Sequence, residues 1–170
     1  MSKQAAEDLR TQFRVAMRRY PAAVTIVTAS DDQRHHGMTA TAVTSLSLDP
    51  PSLLVCLNRT TLLHDIMLSA RRFCVNVLGH DQADLSGAFS GSLPPSRRFE
   101  LGAWQRTSEG MDFLEDAQAN VFCQRVAAFP YGTHTIFIGE VEQVRVSSPV
   151  QPLIYHDATY CTSTPANAAA

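Results

Sequence analysis

The run Met38-Thr39-Ala40-Thr41-Ala42-Val43-Thr44-Ser45-Leu46-Ser47-Leu48, closed by Asp49-Pro50-Pro51, constrains the fold more than any other stretch of this chain. Taken with a period of two, Met38, Ala40, Ala42, Leu46 and Leu48 share one face, and Thr39, Thr41, Ser45 and Ser47 share the other. A strand of this kind sends one face into a core and turns a ladder of hydroxyls outward. Hydroxyls both donate and accept hydrogen bonds, so the ladder suits a polyhydroxylated or phosphorylated ligand. The same pattern also serves an ordinary antiparallel strand with a wet face, where Thr is favoured for its branched shape.

The segments around this run are mostly strand-like. Residues 4–20 read as an amphipathic helix, with Leu9, Phe13, Ala16, Met17 and Tyr20 in one stripe and Pro21 as the stop. A β-branched strand follows over 22–28, and Asp31-Asp32-Gln33-Arg34 turns it back into the hydroxyl run as a hairpin. Residues 52–58 are nearly all apolar and predict a central strand. A short helix over 62–70, a buried strand over 72–78 and a helix over 82–89 come next. Prolines, glycines and charges between Gly91 and Gly110 predict a long surface loop that holds Trp104. Strands return over 119–127 and 135–146. In the second of these the inward positions change parity, and Gly139 is the natural place for a bulge. Residues 152–155 and 159–162 predict a final hairpin, and 165–170 a disordered tail.

Six or seven strands without regular alternation with long helices predict a mainly β fold, a small antiparallel barrel with helices on its outside or ends. A chain of 170 residues is long enough to bury one core without staples, so a single domain is expected over 1–164. The formal net charge of −2 leaves no electrostatic footprint for nucleic acid or an anionic membrane surface. No apolar run approaches the roughly 20 residues of a membrane span. The polar, acid-bearing start does not read as a signal peptide, and a cytoplasmic location is expected. Cys56, Cys74, Cys123 and Cys161 make no CxxC pair, which argues against zinc and against a thioredoxin-type motif. The first three sit in apolar runs and read as reduced, buried thiols.

The chain has no GxGxxG, GxxxxGK[ST] or GxSxG motif, so a Rossmann site, a P-loop and a hydrolase elbow are unsupported. Its histidines are dispersed: His35-His36 fall in a predicted hairpin turn facing solvent, and His64 and His80 read as polar helix caps. His134, in Gly132-Thr133-His134 at a strand entrance, lies where barrels keep their sites. Asn58-Arg59-Thr60-Thr61 ends an apolar strand at a helix start. A threonine there caps the helix, and the same amides, hydroxyls and arginine suit an anion. Asn76, inside a buried strand, requires a partner.

Several segments carry a family resemblance when taken in order: Phe13-Arg14-x-Ala16-Met17, Val24–Thr28, Gly37–Val43, Ser45–Pro51, Cys74–Leu78, Gln82, Arg98-Phe99, Gly132–His134, Phe137–Val141 and Pro152–Tyr155. Over about residues 12–160 the chain resembles the short-chain flavin reductases that serve two-component flavin monooxygenases. The reductase component of 4-hydroxyphenylacetate 3-monooxygenase is of this kind. The resemblance implies an FMN-binding split β-barrel that works as a homodimer, oxidises NADH or NADPH, and passes reduced FMN or FAD to a separate oxygenase. By that resemblance Thr39, Thr41, Ala42, Thr44 and Ser45 contact ring and ribityl chain, and Cys56, Leu57 and Asn58 line them. Thr61 lies near the phosphate, with Arg59 and Ser90 as helpers. His134 lies near the nicotinamide, and Tyr155 belongs to the C-terminal segment that closes over it. Some relatives carry Asp where this chain has Thr133, so a role for an acid at that point is not carried over.

Hydride transfer asks little of side chains, because the cofactors carry the chemistry. The protein has to bring the donor and acceptor atoms to within about 3–3.5 Å and offer a donor where negative charge grows on the ring. Backbone amides of 39–45 or 56–58 are placed to do so. Three other readings stay open on the sequence alone. One is a pyridoxamine-phosphate oxidase relative, which needs a second Arg/Lys-rich phosphate site. The others are a non-enzymatic flavin store or sensor, and a barrel for another apolar ligand.

Overall fold

The hydroxyl run folds as two strands, not one. The computed structural model describes residues 2–165. Its first half contains α1 (Lys3–Met17), β1 (Ala22–Ala23), β2 (Thr25–Ser30), β3 (His35–Ala40), β4 (Val43–Leu48), β5 (Pro51–Asn58), α2 (Leu62–Ser69), β6 (Arg72–Val77) and α3 (Ala83–Gly87). A π-helical turn (Ala88–Ser92) and a 3-10 turn (Pro95–Glu100) follow. The rest is β7 (Trp104–Arg106), β8 (Asp112–Leu114), β9 (Ala119–Tyr131), β10 (His134–Val146), β11 (Leu153–His156) and β12 (Thr159–Thr162).

The main sheet has seven strands in the order β3-β2-β6-β9-β10-β5-β4, with every neighbouring pair antiparallel. Its two edge strands, β3 and β4, are consecutive in the chain and joined only by Thr41-Ala42. Three Cα steps of about 3.3–3.6 Å each link Ala40 to Val43, so that link spans roughly 10 Å at most. The sheet therefore has to roll until its edges nearly meet at one corner, which is the open barrel expected from the strand pattern. Cys56 N–H donates to Ala42 O at 3.0 Å and holds the corner against β5.

This geometry corrects the reading of 38–48 as one ladder. Thr39 belongs to one sheet edge, Thr44 and Ser45 to the other, and Thr41 and Ala42 are exposed at the break. The alternation runs straight through a point where the chain leaves one partner for another. Neither Gly nor Pro marks the spot. A register irregularity at Ser45/Ser47 shifts the phase again, leaving Leu46 and Leu48 exposed.

The barrel interior is filled by Val27, Val55, Leu57, Phe73, Val75 and Phe137, and α2 closes it with Leu63, Ile66 and Met67. In β5 the burial alternates, with Leu53, Val55 and Leu57 inward and Leu54, Cys56 and Asn58 half-buried on the other face. β5 is therefore a strand with one open face, and it lies second from the sheet edge, not at the centre as expected. The irregularity at Ile138/Gly139 appears where it was expected. A Cβ at Gly139 would collide with the Phe73 ring and lie 2.7 Å from Cys123 Cβ, so only Gly lets β10 pass this close.

A second core lies outside the barrel, where Ile26, Leu78, Leu85, Phe89, Leu114 and Leu153 pack together. The expected loop over 91–110 is partly ordered against it. Trp104 opens β7, is half-buried, and packs on Phe89 and Phe99 with ring centroids 5.1 and 5.0 Å away. Three-residue strands such as β7 and β8 show too few periods to be read from sequence. Two histidine expectations also change. His36 is buried, and His64 is a buried interior residue of α2 and not its cap.

Helix α1 ends at Met17, earlier than expected, and buries none of its residues against its own chain. Its apolar stripe, including Leu9, Phe13 and Met17, stays exposed, as does Tyr20 beyond its end. No helix among the described residues is long and apolar enough to cross a membrane, and no group of metal-ligating side chains is found among them. Pro165 has no regular structure, and the rest of the expected tail, 166–170, lies outside the described residues.

Candidate functional site

The break between β3 and β4 opens onto a cleft of about 810 Å³. Thr41 and Ala42 form one wall, and Phe13 and Met17 of α1, with Tyr20 just beyond its end, form the opposite one. Tyr155 of the C-terminal hairpin closes the end. The hairpin is held there by β1, whose Ala22 and Ala23 pair with Tyr155 and Ile154. Tyr155 also meets Tyr160 edge-on, with ring centroids 5.6 Å apart. The cleft thus combines apolar walls with exposed threonine and tyrosine hydroxyls, a lining suited to a flat, partly polar ligand.

From Ala42 the site continues along the open face of β5. Cys56 and Asn58 point to this face, with Ile136 and His134 directly across on β10. Thr44 lies opposite Leu54 on the other side of β5. Burial raises the pKa of the Cys56 thiol, which keeps it protonated at neutral pH. Leu57 points the other way. Its side chain is fully buried in the barrel core, so only its main chain is left for a ligand.

At the end of β5, local chemistry builds a polar corner. Asn58 Oδ1 accepts from the Thr60 N–H and from the Thr60 hydroxyl, both at 3.0 Å. Thr61 is the N-cap of α2: its hydroxyl accepts from His64 N–H at 3.3 Å and donates to Asn58 O at 2.8 Å. The first amides of α2, those of Leu62 and Leu63, have no intrahelical acceptor and carry the positive end of the helix dipole. The Arg59 N–H donates to Thr133 O at 2.9 Å, which ties this corner to the β9–β10 turn. His134 follows, exposed, with Nδ1 2.9 Å from the Thr133 hydroxyl. Beneath it the buried His64 Nε2 meets the Thr135 hydroxyl at 2.8 Å.

The remaining expected residues lie beside β3. The Thr39 hydroxyl donates to Ser86 O at 2.7 Å, and Ser86 Oγ meets the Tyr160 hydroxyl at 2.9 Å. Ser90 is exposed on the π turn that follows, with its hydroxyl donating to Gly87 O at 3.0 Å. Within one chain the structure therefore gathers Thr41, Ala42 and Tyr155 in the cleft. It gathers Thr44, Cys56, Asn58 and His134 along β5 and β10, and Arg59 and Thr61 at the helix start. Thr39 and Ser90 form a third group, and no hydrogen bond joins His134 to Tyr155. Tyr160 and the α1 residues of the cleft were missed by the sequence reading. Tyr160 was legible as the cross-strand partner of Tyr155 in a predicted hairpin, whereas the placement of α1 had no local signal.

Asn76 turns out to be structural. Its Nδ2 donates to Ile26 O at 2.8 Å, and its Oδ1 accepts from Leu114 N–H and Asn120 Nδ2, both at 2.9 Å.

Comparison with known proteins places this arrangement. Residues 17–164 match the flavin reductase like domain. The chain is 53% identical over 168 residues to the reductase component of the FADH(2)-dependent resorcinol hydroxylase of Rhizobium sp. strain MTP-10005, covering 98% of this chain and 94% of the relative. It is 39% identical over 151 residues to the FMN reductase (NADH) RutF of Variovorax paradoxus, covering 89% and 84% of the two chains. Among solved structures, the NADH:FAD oxidoreductase of Streptomyces globisporus C-1027, in complex with NAD and FAD fragments, superposes with a TM-score of 0.85 at 27% identity, covering 93% of this chain and 94% of that one. A rolled seven-stranded sheet split at Thr41-Ala42, together with a family match across nearly the whole of that sheet, leads to one statement: the chain belongs to the flavin reductase family.

Proposed function

We propose that the protein is an NAD(P)H-dependent flavin reductase that reduces FMN or FAD and releases the product to a separate flavin-dependent oxygenase. The observation that carries this reading is the broken hydroxyl strand. Its exposed Thr41-Ala42 corner faces a cleft closed by Tyr155 and continues along β5 to a helix start rich in donors. The donor set fits a flavin. The apolar face of Cys56, Ile136 and Leu54 suits a ring, the hydroxyls of Thr41, Thr44 and Ser45 suit a ribityl chain, and the α2 amides with Thr61 and Arg59 suit a phosphate.

A bound flavin supplies the hydride acceptor and NADH the hydride. The protein's part is geometric and electrostatic. The rigid β5–β10 pair would offer a flat surface for two stacked rings, and main-chain amides of the edge segment 41–45 would supply donors where ring charge develops. His134, at the rim beside Asn58, orients the nicotinamide, and Tyr155 shields the cleft from water. No side chain needs to transfer a proton in the hydride step. The shallow, open site is consistent with a flavin that arrives and leaves.

The exposed stripe of α1 and the exposed Phe129 and Tyr131 beside His134 support a homodimer, in which a second copy covers both surfaces. The relative named as a FADH(2)-dependent resorcinol hydroxylase reductase supports an oxygenase partner acting on a phenolic substrate. The unpaired cysteines support a cytoplasmic setting, where NADH is abundant.

The test is NADH oxidation by purified protein, followed by absorbance, with and without FMN, FAD and riboflavin. Rapid oxidation that depends on added flavin is expected. Flavin binding without NADH oxidation would replace this reading with a flavin store or sensor.

A further inference from the structure

Helix α1 brings two arginines to the cleft at the broken strand. Arg14 and Arg18 lie one turn apart, and both line the cleft together with Phe13, Thr41, Ala42 and Tyr155. Their charges are poorly neutralised. Among the described residues Arg18 forms no ion pair, and Arg14 reaches only Glu7, at 3.9 Å and on the exposed surface. Asp157, at the tip of the β11–β12 hairpin, also lines the cleft, but no ion pair among the described residues joins it to either arginine. Two guanidiniums against one carboxylate leave the cleft with an excess of positive charge. The whole chain carries a formal net charge of −2, so this excess is local.

Helix stability does not account for the arrangement. The helix dipole favours cations near a C-terminus, where Arg14 and Arg18 lie, but it acts along the axis and is indifferent to the side they take. Arg10, Arg14 and Arg18 follow one another at i, i+4 spacing, and like charges at that spacing repel. The cleft is also larger than a ring requires. Its volume of about 810 Å³ lies high in the range of roughly 300–1,000 Å³ that encloses a whole small ligand. No residue of β5 or α2 lines it, so the arginines face a part of the ligand other than the ring on β5 and the phosphate at the start of α2. A guanidinium recognises phosphate through its charge and its planar fork of donors. Two of them, with Cβ atoms about 5–6 Å apart on long stems, can converge on adjacent phosphates.

We propose that Arg14 and Arg18 form a diphosphate clamp on the α1 side of the cleft, which holds a dinucleotide by its charged linker while its ring reaches the Thr41-Ala42 corner. NADH and FAD share this linker, whereas FMN and nicotinamide mononucleotide lack it. The inference rests on the flavin reductase reading given above. It adds how a chain with no glycine-rich phosphate loop holds the adenylate half of its substrate.

The test compares ligands that differ only in the adenylate half. Isothermal titration calorimetry reads NAD+ against nicotinamide mononucleotide with FMN present, and FAD against FMN. It is run on the unaltered protein, on the double variant Arg14→Gln, Arg18→Gln, and on the double variant Arg14→Lys, Arg18→Lys. Both arginines are exposed, so the variants should fold, and size-exclusion chromatography follows their oligomeric state. The Gln variant should lose about tenfold or more for the dinucleotide that the clamp serves, the loss typical of a removed charge-assisted contact, and less than about threefold for the matching mononucleotide. The Lys variant keeps the charge and should retain most of the affinity. A selective loss for NAD+ assigns the clamp to the nicotinamide substrate, and a selective loss for FAD assigns it to the flavin. Equal losses for dinucleotide and mononucleotide, no loss for either dinucleotide, or a Lys variant as weak as the Gln variant would overturn the proposal. A changed oligomeric state would also overturn it, by giving the arginines to a subunit contact. An unaltered protein that binds FMN but prefers neither dinucleotide to its mononucleotide would remove the clamp and leave the flavin reading standing. An unaltered protein that binds no flavin would remove both.

Discussion

Replacing Asn76 with Leu tests whether the buried amide joins the barrel to the strand beside it, as its geometry implies. Leu keeps the same branched skeleton of four heavy atoms but is larger, so any overpacking at this buried site adds to the loss of the hydrogen bonds. The three shortest bonds lost are Nδ2 to Ile26 O at 2.8 Å, Leu114 N–H to Oδ1 at 2.9 Å, and Asn120 Nδ2 to Oδ1 at 2.9 Å, and two longer ones, Nδ2 to Thr28 Oγ1 at 3.4 Å and Cys74 Sγ to Oδ1 at 3.6 Å, go with them. Asn120 keeps its bond to Leu114 O at 3.0 Å, but the Leu114 N–H is left buried without this acceptor. An orphaned amide costs about 1–3 kcal/mol, and the other two short bonds contribute about 1 kcal/mol each. Apolar burial of the new side chain offsets about 1.5 kcal/mol. The net loss is about 1.5–3.5 kcal/mol, or roughly 3–14 °C in Tm for a domain of this size. Denaturant unfolding followed by circular dichroism reads the first figure, and thermal melts read the second. Asn120→Ala in the same background should be non-additive, because the two residues share one network. A loss below about 1 kcal/mol, or strict additivity, would refute the argument that this network ties β8 to β6 and β9.

Other perturbations probe the fold and the site separately. Gly139→Ala drives a methyl into the Phe73 ring and toward Cys123, and should destabilise by about 1–3 kcal/mol in the same unfolding assay. His36 has a folded pKa of about 4, held below its ordinary value near 6.5 by burial and by the Arg98 charge, so the unfolded state binds the extra proton between those limits. Stability should fall as pH drops from about 6.5 to 4, and His36→Gln should flatten that part of the profile by up to one proton. His134→Ala should raise KM for NADH severalfold while lowering kcat less, because the residue sits at the rim and moves no proton. An unchanged KM in steady-state kinetics would remove it from the nicotinamide site.

Much of the fold could be read locally. Residues 72–77 and 119–127 are apolar enough, and Gly139 odd enough, that the paired strands and their bulge follow from side-chain period and sterics. Thr61 caps α2 because a hydroxyl three residues before an amide is a local event. The order of short motifs from Phe13 to Tyr155 was enough to indicate the family that the comparisons support. What stayed hidden depends on partners far along the chain. The ladder at 38–48 splits because β3 binds β2 while β4 binds β5, and alternation along one strand carries no record of which neighbour is bonded. His36 and Arg98 look like surface residues until the Pro95–Glu100 turn folds over β3. The stripe of α1 has the spacing of a core helix, yet it buries nothing on its own chain. Sequence determines which face of an element is apolar, since that follows from residue type and backbone period. Only the tertiary structure decides what that face meets, because burial is a property of two surfaces and one of them is written elsewhere in the chain or in another molecule.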